Sequence, residues 1–371
     1  MAASVAALSP VLITGGCGFI GSHLARRLLE DNRNCKIHVL DVDTSRRRIA
    51  AVDYHACDIS NADDVDRVMQ EAQPRTVFHI ACPDSMVIRP ELFERVDVVG
   101  TRNLLASAAR LGTVRALVNV STSSVIHDNR SDLIDADETL PVLRPPVQKR
   151  IYTLTKATAE SDILAANRAA GDASMLTVSM RPATAFGEDD DTCLGKMVAV
   201  AQQGKTRFQM GDGKNVFDFI YIDNLVEAHV LAARALVAAY GKPPTPPDRR
   251  VDGECFNVTN DEPVLFWEFS RKIAAAAGRP VHPEDIVVIP VWIGLVIGWL
   301  SEWLMWIQSW GTSQPNMTRE GIRFSTINRT LNGAKAKRVL RYRPKVSMDE
   351  GIERSVRWYV ERGRKENCVA R

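Results

Sequence analysis

The sequence predicts an α/β protein with a doubly wound parallel sheet and a smaller, interleaved C-terminal lobe. Apolar strand-like runs alternate with helix-periodic stretches from Val11 to about Arg181, and a glycine-rich turn joins the first run to the first helix. At 371 residues the chain is long enough to bury a full core and to carry an appended lobe. We therefore expect a first domain at 1–187 and a substrate-binding lobe at 188–371.

The alternation predicts the elements of the first domain in order. Strands are expected at 10–14, 36–41, 52–57, 76–80, 115–121 and 174–181. Helices are expected at 22–31, 62–72, 95–110 and 150–169. Asn61 precedes an acidic first turn, so it is a candidate N-cap for the second helix. In the lobe the sequence predicts helices at 194–203 and 223–240, a glycine turn at 211–213, a proline-rich loop at 241–247 and a strand at 255–258.

The glycine-rich turn predicts a dinucleotide site of the Rossmann type. Gly15 permits a tight strand-to-helix turn, Gly18 lets the backbone approach a pyrophosphate, and Gly21 lets the helix pack closely on the strand. The helix N-terminus, with Phe19 and Ile20, offers free N–H groups and a positive dipole end to the phosphates. We therefore expect these five residues to bind a cofactor.

Acidic residues at strand ends indicate that the cofactor is NAD, with NADP as the alternative. Asp41 lies 20 residues beyond the last motif glycine, where a carboxylate can accept hydrogen bonds from ribose hydroxyls and would repel a 2′-phosphate. Asp58 ends the next strand near the expected adenine edge, although an isolated aspartate there is equally compatible with a helix cap. The arginines at 46–48 form either a solvated loop or a site that neutralises a 2′-phosphate.

Tyr152 and Lys156 predict acid–base chemistry on an alcohol. They are four residues apart on a predicted helix, so both project from one face. A free tyrosine has a pKa of about 10, and a lysine ammonium together with a nicotinamide cation would lower it and favour the phenolate. Thr122, at the end of a strand, can place its hydroxyl against the same substrate oxygen.

Together these motifs resemble the extended short-chain dehydrogenases and, within them, the 3β-hydroxysteroid dehydrogenase/isomerase family. The greatest similarity is to the decarboxylating sterol-4α-carboxylate 3-dehydrogenases, over about residues 10–360. Beyond the residues above, the resemblance rests on the segments 181–183 and 211–224. It implies that Tyr152 is the general base, that Lys156 lowers its pKa and holds the nicotinamide ribose, and that Thr122 orients the substrate hydroxyl.

The resemblance also implies cofactor contacts at Ala81 and, beside the nicotinamide, at Arg181 and Pro182. The chain departs from the family pattern at 79–83, at 119–120 and at Asp97, where asparagine is common. None of these departures replaces a proposed proton-transfer residue.

The function implied by the resemblance is NAD(P)-dependent oxidation of the 3β-hydroxyl of a sterol or triterpenoid, in sterol or specialised terpenoid biosynthesis. A 4α-carboxy sterol would give a β-keto acid, which loses CO2 and so achieves C4 demethylation. Three alternatives remain: a 3β-hydroxysteroid dehydrogenase with Δ5-Δ4 isomerase activity, a nucleotide-sugar epimerase or dehydratase, and a non-catalytic NAD-binding scaffold or sensor. The intact Tyr152 and Lys156 argue against the last of these.

A tryptophan-rich apolar segment at 286–310 predicts contact with a membrane surface, and it also argues against a nucleotide sugar, which needs polar contacts. Its tryptophans are spaced to share one helical face, at 292, 299, 303, 306 and 310. The charge-free part, 286–301, is short for a span, which needs about 20 apolar residues. A single span and a core or dimer-interface helix are the competing interpretations.

Composition narrows the partners and the location. A net charge of +2 gives no reason to expect nucleic acid, and seven scattered cysteines without a Cys-x-x-Cys pair indicate reduced thiols and no metal. We expect a protein at the cytoplasmic face of the endoplasmic reticulum membrane, or alternatively in the cytoplasm. A homodimer, or a complex with other sterol-modifying enzymes, fits this expectation.

Overall fold

The secondary structure is known from a computed structural model, which describes residues 5–84, 89–309, 315 and 317–369. The strands of this part of the chain are β1 (Val11–Thr14), β2 (Ile37–Asp41), β3 (Asp53–Ala56), β4 (Thr76–His79), β5 (Ala116–Val120), β6 (Leu133–Ala136), β7 (Leu176–Pro182), β8 (Thr184–Phe186), β9 (Phe208–Met210), β10 (Val216–Phe217), β11 (Phe219–Tyr221), β12 (Glu254–Val258), β13 (Val264–Leu265), β14 (Val287–Ile289) and β15 (Arg329–Leu331). The α-helices are α1 (Phe19–Asp31), α2 (Ala62–Ala72), α3 (Pro90–Phe93), α4 (Thr101–Leu111), α5 (Ile151–Ala165), α6 (Leu194–Gln202), α7 (Ile222–Ala239), α8 (Phe266–Ala276), α9 (Val291–Ser309), α10 (Arg319–Phe324) and α11 (Met348–Val369).

The predicted elements are confirmed to within four residues at each end, with one difference. The stretch predicted as a single helix at 95–110 is a π-helical segment, Glu94–Gly100, that continues into α4. Single π-helical turns inside helices often mark functional sites, and Asp97 within this one is buried. The N-cap prediction also holds, because the Asn61 side chain accepts the backbone N–H of Asp63 at 3.1 Å.

A seven-stranded parallel sheet in the order β3-β2-β1-β4-β5-β7-β12 forms the centre of the molecule. Because strand side chains alternate, Val11 and Ile13 of β1 face one core with α1 and α7, while Leu12 faces the other with α2 and α4. The sheet is therefore covered by helices on both faces, and the predicted doubly wound α/β fold is confirmed.

The two halves of the sequence are interleaved in space. Strand β12 lies after residue 187 and completes the central sheet beside β7. Conversely, β6 lies before residue 187 and joins β13, β10 and β15 in the smaller sheet of the lobe.

Helix α9 lies at the surface of the lobe with its apolar side chains exposed. Trp292, Trp299, Trp303 and Trp306 are exposed to 67%, 45%, 53% and 55%, and Trp310 lies outside the described residues. Only 11% of the 18-residue window of the helix is buried, and by length and composition α9 is the one described helix that qualifies as a membrane span. Its buried face is formed by Gly294 and Gly298, which pack against Met210 and Ile322.

Candidate active site

A cleft of about 630 Å³ lies at the carboxyl ends of the central strands. This is where ligands bind in open parallel sheets, and the volume is in the range of small-molecule sites. Nine of the thirteen residues that the sequence predicts for the site line it: Gly15, Gly18, Phe19, Ile20, Asp41, Asp58, Ala81, Tyr152 and Lys156.

The glycine turn has no room for larger side chains. Gly15 has a φ of +69°, and a Cβ on it would lie 2.8 Å from the Ala81 backbone. A Cβ on Gly21 would lie 2.5 Å from the carbonyl oxygen of Gly15. Gly21 does not line the cleft; it sits in the first turn of α1, and its role is the close helix packing expected of the third motif glycine. The cradle between Gly15, Gly18 and Ala81 therefore fits a pyrophosphate held against bare backbone.

Asp41 and Asp58 both line the cleft but differ in their surroundings. Asp41 accepts the backbone N–H of Cys17 at 3.0 Å, and burial raises the pKa of its carboxyl. Asp58 accepts the backbone N–H and the hydroxyl of Ser60 at 2.9 and 2.7 Å and pairs with Arg95 at 3.2 Å. Asp58 thus closes the turn before α2, whereas Asn61 caps the helix.

The arginines at 46–48 are already occupied. Arg47 bonds the carboxylate of Asp189 and the carbonyl oxygen of Cys17, and Arg46 pairs with Asp191 at 3.6 Å. The guanidinium of Arg48 stacks 4.4 Å from the ring centroid of Tyr54. Two of the three cations thus have carboxylate partners on the rim of the cleft, and Arg46 and Arg48 are exposed to solvent.

Replacing Asp41 with alanine is expected to weaken NAD binding and to reduce the preference for NAD over NADP. Charge-assisted hydrogen bonds contribute roughly 1.5–3 kcal/mol each, so kcat/KM for NAD should fall at least about tenfold while that for NADP falls less. Steady-state rates with both cofactors measure this. Asp63→Ala, an exposed change on α2 away from the cleft, is the control, and an unchanged NAD/NADP ratio in Asp41→Ala would contradict the assignment.

Tyr152 and Lys156 lie one turn apart on α5, and both line the cleft. The Tyr152 ring packs edge-on against Phe93, and the guanidinium of Arg150 lies 5.3 Å from its centroid. Burial raises the pKa of Tyr152 well above its usual value, while a hydrogen bond with Thr122 and the Arg150 charge act to lower it. This desolvation, which the sequence does not reveal, makes the added charge of a bound nicotinamide important for forming the phenolate.

Thr122 stands at the end of β5, just behind the wall of the cleft. It is the N-cap of a short 3₁₀ helix, Ser123–Ile126, and its hydroxyl accepts the backbone N–H of Ser124 at 3.1 Å. This contact fixes the side chain, so that its oxygen faces Tyr152 rather than solvent.

Lys156 is buried, and Asp97 supplies a nearby negative charge. The Lys156 ammonium lowers the pKa of Asp97, although burial raises it more. Thr155 donates its hydroxyl to Asp97 at 2.7 Å and thereby orients the carboxylate. The sequence showed Asp97 only as a departure from the family pattern; the structure shows it as an electrostatic neighbour of the lysine.

A buried hydrogen-bond chain, which sequence reasoning missed, holds the end of β4 against β1. His79 bonds the hydroxyls of Thr14 and Thr101 at 2.8 and 2.9 Å, and burial lowers the pKa of His79 to about 3, so the ring is neutral. The Thr14 hydroxyl also accepts the backbone N–H of Ala81 at 3.2 Å. His79 thus positions the backbone that approaches Gly15.

The structure does not support a cofactor contact by the Arg181 side chain. Neither Arg181 nor Pro182 is among the described residues that line the cleft. The Arg181 guanidinium is buried in an ion pair with Glu160 at 2.5 Å, and Ser179 donates to the same carboxylate at 3.1 Å. The counter-charge on α5 directs the arginine away from the cleft, so its role here is to join α5 to β7.

Glu160→Ala is expected to destabilise the protein by about 3–5 kcal/mol, because it leaves the Arg181 cation buried without a partner. Urea unfolding monitored by circular dichroism measures the change in the free energy of unfolding. The control is Arg110→Ala, which removes an ion pair to Asp66 at 2.6 Å from an exposed site and should cost at most about 1 kcal/mol. Equal losses in the two variants would contradict the structural role.

The chain is similar to known proteins over nearly its whole length. The model of the 3-beta hydroxysteroid dehydrogenase/isomerase family matches residues 12–287. The chain is 34% identical over 363 residues to the decarboxylating sterol-4-alpha-carboxylate 3-dehydrogenase ERG26 of Saccharomyces cerevisiae, covering 95% of this chain and 99% of that protein. It is 31% identical to the decarboxylating sterol-4-alpha-carboxylate 3-dehydrogenase of Mus musculus, covering 93% and 89%.

Solved structures with a similar fold include nucleotide-sugar enzymes. The UDP-glucose 4-epimerase of Thermotoga maritima with UDP-glucose matches with a TM-score of 0.70 at 22% identity, over 95% of this chain and 99% of that one. The Thermus thermophilus UDP-glucose 4-epimerase in complex with NAD matches with a TM-score of 0.67 at 25% identity, over 94% and 98%. The first of these likenesses shows the fold alone.

Proposed function

The chain belongs to the 3-beta hydroxysteroid dehydrogenase/isomerase family, and we propose that it oxidises the 3β-hydroxyl of a sterol with NAD. The relatives named as decarboxylating sterol-4-alpha-carboxylate 3-dehydrogenases make a 4α-carboxy sterol the expected substrate. The observation that carries the proposal is the meeting of Tyr152 and Lys156 with the glycine turn in one cleft.

The cleft fits the dinucleotide because its phosphate end is bare backbone and its ribose end carries a carboxylate. Gly15 and Gly18 would hold the pyrophosphate, Asp41 the adenosine ribose, and Lys156 the nicotinamide ribose. When bound, the nicotinamide supplies the hydride acceptor and a positive charge near Tyr152.

The residues of the chain then act on the substrate oxygen. Tyr152 as phenolate removes the proton of the C3 hydroxyl, and Thr122 hydrogen-bonds the developing oxyanion. Lys156 stabilises the phenolate. The product of a 4α-carboxy substrate is a β-keto acid, whose carboxylate leaves as CO2 because the new ketone accepts the electrons as an enolate. No additional catalytic acid is required for that step.

We further propose that residues 188–371 bind the sterol and that α9 rests on the cytoplasmic surface of the endoplasmic reticulum membrane. An exposed apolar helix with several tryptophans suits the interface between lipid and water. Its glycine face packs on the protein, and Glu302 pairs with Arg319 at 2.7 Å, which favours a helix lying on the membrane over one crossing it. A sterol would then enter the site from the bilayer.

Incubation of the purified protein with NAD and a panel of sterols tests the proposal. We expect reduction of NAD and release of CO2 with a 3β-hydroxy-4α-carboxy sterol, and no turnover of UDP-glucose. An enone absorbance from a Δ5-3β-hydroxysteroid would instead indicate isomerase activity. Turnover of UDP-glucose, or NAD binding without any oxidation, would contradict the proposal in favour of an epimerase or a cofactor-binding scaffold.

A further inference from the structure

Arg329 is a buried cation on β15, separate from the cofactor cleft. Arg329 is only 4% exposed, and no carboxylate of the described residues lies within ion-pair distance of it, since Asp218 acts on it only through its charge. Its guanidinium donates to the hydroxyls of Ser123 and Ser124 at 2.9 and 3.0 Å, and to that of Thr184 at 3.4 Å. All three hydrogen-bond partners are neutral.

Arg329 lies among aromatic rings, and Asp218 acts on its charge from beyond ion-pair distance. Its guanidinium carbon lies 5.7 and 5.4 Å from the ring centroids of Phe217 and Phe324, and its Nε is buried without a hydrogen-bond partner. Burial lowers the pKa of Arg329 to about 10, so it remains protonated at neutrality. The carboxylate of Asp218 is occupied by the backbone N–H of Leu331 at 2.7 Å, and burial raises the pKa of Asp218 to about 6.

Such a group is costly unless something pairs with it. A buried charge without a counter-ion is strongly unfavourable, and a buried donor without a partner calls for a functional explanation. An anion brought by a ligand would satisfy both the charge and the unpaired Nε.

The position of Arg329 indicates which part of the ligand this anion belongs to. Its partners Ser123 and Ser124 directly follow Thr122, and Thr122 itself holds the backbone N–H of Ser124. Arg329 is also close enough to Tyr152 for a phenolate there to stabilise its charge. The cation therefore lies close to Thr122 and Tyr152, the two residues proposed to meet the substrate hydroxyl.

We propose that Arg329 binds the C4 carboxylate of the sterol substrate. The inference rests on the proposed function, since it assigns the recognition of one group of that substrate. In a 3β-hydroxy-4α-carboxy sterol the carboxyl group is on the carbon next to the carbinol, so a substrate whose hydroxyl meets Tyr152 and Thr122 presents its carboxylate nearby. The guanidinium keeps a free donor in its Nε–H, which can hydrogen-bond a carboxylate oxygen while the two opposite charges attract.

Arg329 would bind the substrate and the product differently. The ion pair holds the substrate while C3 is oxidised, and it favours the carboxylate over the neutral acid. Loss of CO2 removes the anion, so the neutral ketone has lost the contact that anchored the substrate. Arg329 thus distinguishes substrate from product as well as carboxylated from neutral sterols.

The test compares two matched 3β-hydroxy sterols, one with a 4α-carboxylate and one with a 4α-carboxamide. Neutralising one partner of a buried charge pair weakens binding strongly, so we expect the wild type to prefer the carboxylate by about 100-fold in kcat/KM. Arg329→Gln should reduce this ratio to near unity, and Arg329→Lys should retain part of it. Arg338→Gln, an exposed change nearby in the sequence, is the control and should keep the wild-type ratio. The measured quantity is the ratio of kcat/KM for the two sterols, so a general loss of activity lowers both values and leaves the ratio unchanged.

The outcomes separate this inference from the proposed function. If the wild type oxidises neither sterol, the proposed function fails. If it oxidises the carboxylated sterol but Arg329→Gln keeps the preference, only the role of Arg329 is overturned. If Arg329→Gln does not fold, a wild-type ratio near unity overturns the role, and a high ratio partly retained by Arg329→Lys supports it. Competitive inhibition by UDP that Arg329→Lys weakens would assign the cation to a diphosphate and overturn the carboxylate.

Discussion

Tyr152→Phe is expected to lower kcat by about three orders of magnitude while leaving NAD binding nearly unchanged. The change removes one oxygen, which is the atom proposed to take the substrate proton, and keeps the ring that packs against Phe93. The glycine turn and Asp41, which would hold the other end of the cofactor, are untouched. Steady-state kinetics with a 4α-carboxy sterol, together with calorimetric titration of NAD, separates the two effects.

The control for this prediction is Tyr240→Phe. Its hydroxyl donates to the carbonyl oxygen of Ala173 in an exposed contact, and Tyr240 does not line the cleft. It should retain full turnover. If Tyr152→Phe kept more than about a tenth of the wild-type kcat, Tyr152 would not be the base, since general-base catalysis contributes about 10²–10⁴ in rate.

The parts of the fold that the sequence predicts well depend on local patterns. Strand and helix positions follow from periodicity, and the glycine turn follows from a spacing of three residues within one strand-to-helix connection. The same holds for Tyr152 and Lys156, which share a helix face because they are four residues apart. These patterns depend only on residues close together in the sequence, so contacts with distant parts of the chain hardly alter the structures that they predict.

The residues that sequence reasoning missed or misplaced depend on contacts across the chain. The Arg181 side chain lies outside the cleft because it pairs with Glu160 on another element. Asp97 accepts a hydrogen bond from Thr155, which is 58 residues away in the sequence. Arg329 donates one to Ser123, which is 206 residues away. A sequence shows the charges of these side chains but not their partners, and it is the partners, or their absence, that decide their roles.

The tryptophan-rich helix α9 was predictable from the sequence only in part. Its helical spacing was readable from the sequence, but whether its apolar residues are buried was not. The structure leaves α9 exposed on this chain and places its two glycines, rather than its tryptophans, against the protein. A core helix is therefore wrong for a single chain, and the exposed surface of α9 suits contact with a membrane or with a second copy of the chain.

Replacing Trp299, Trp303 and Trp306 together with serine is expected to reduce binding to lipid vesicles by at least about 100-fold. Apolar surface contributes roughly 25 cal/mol per Å² when it leaves water, so three half-exposed indoles supply several kcal/mol. These side chains are about half exposed and none is part of the core, so the variant should keep its fold and its activity on detergent-dispersed sterol. Co-sedimentation with phosphatidylcholine vesicles measures the partition coefficient.

A matched control removes a similar number of exposed apolar side chains elsewhere, through Val42→Ser, Ile134→Ser and Val147→Ser. If general surface hydrophobicity drove the binding, both triple variants would lose it equally. A position on the membrane requires that only the α9 variant does so, because only there do the apolar residues share one continuous helical surface. The alternative outcome is that the wild type does not bind vesicles and elutes as a dimer, while the α9 variant elutes as a monomer. This result would make α9 the contact between two copies of the chain. The sterol would then have to reach Tyr152 through water, which its low solubility makes the slower route.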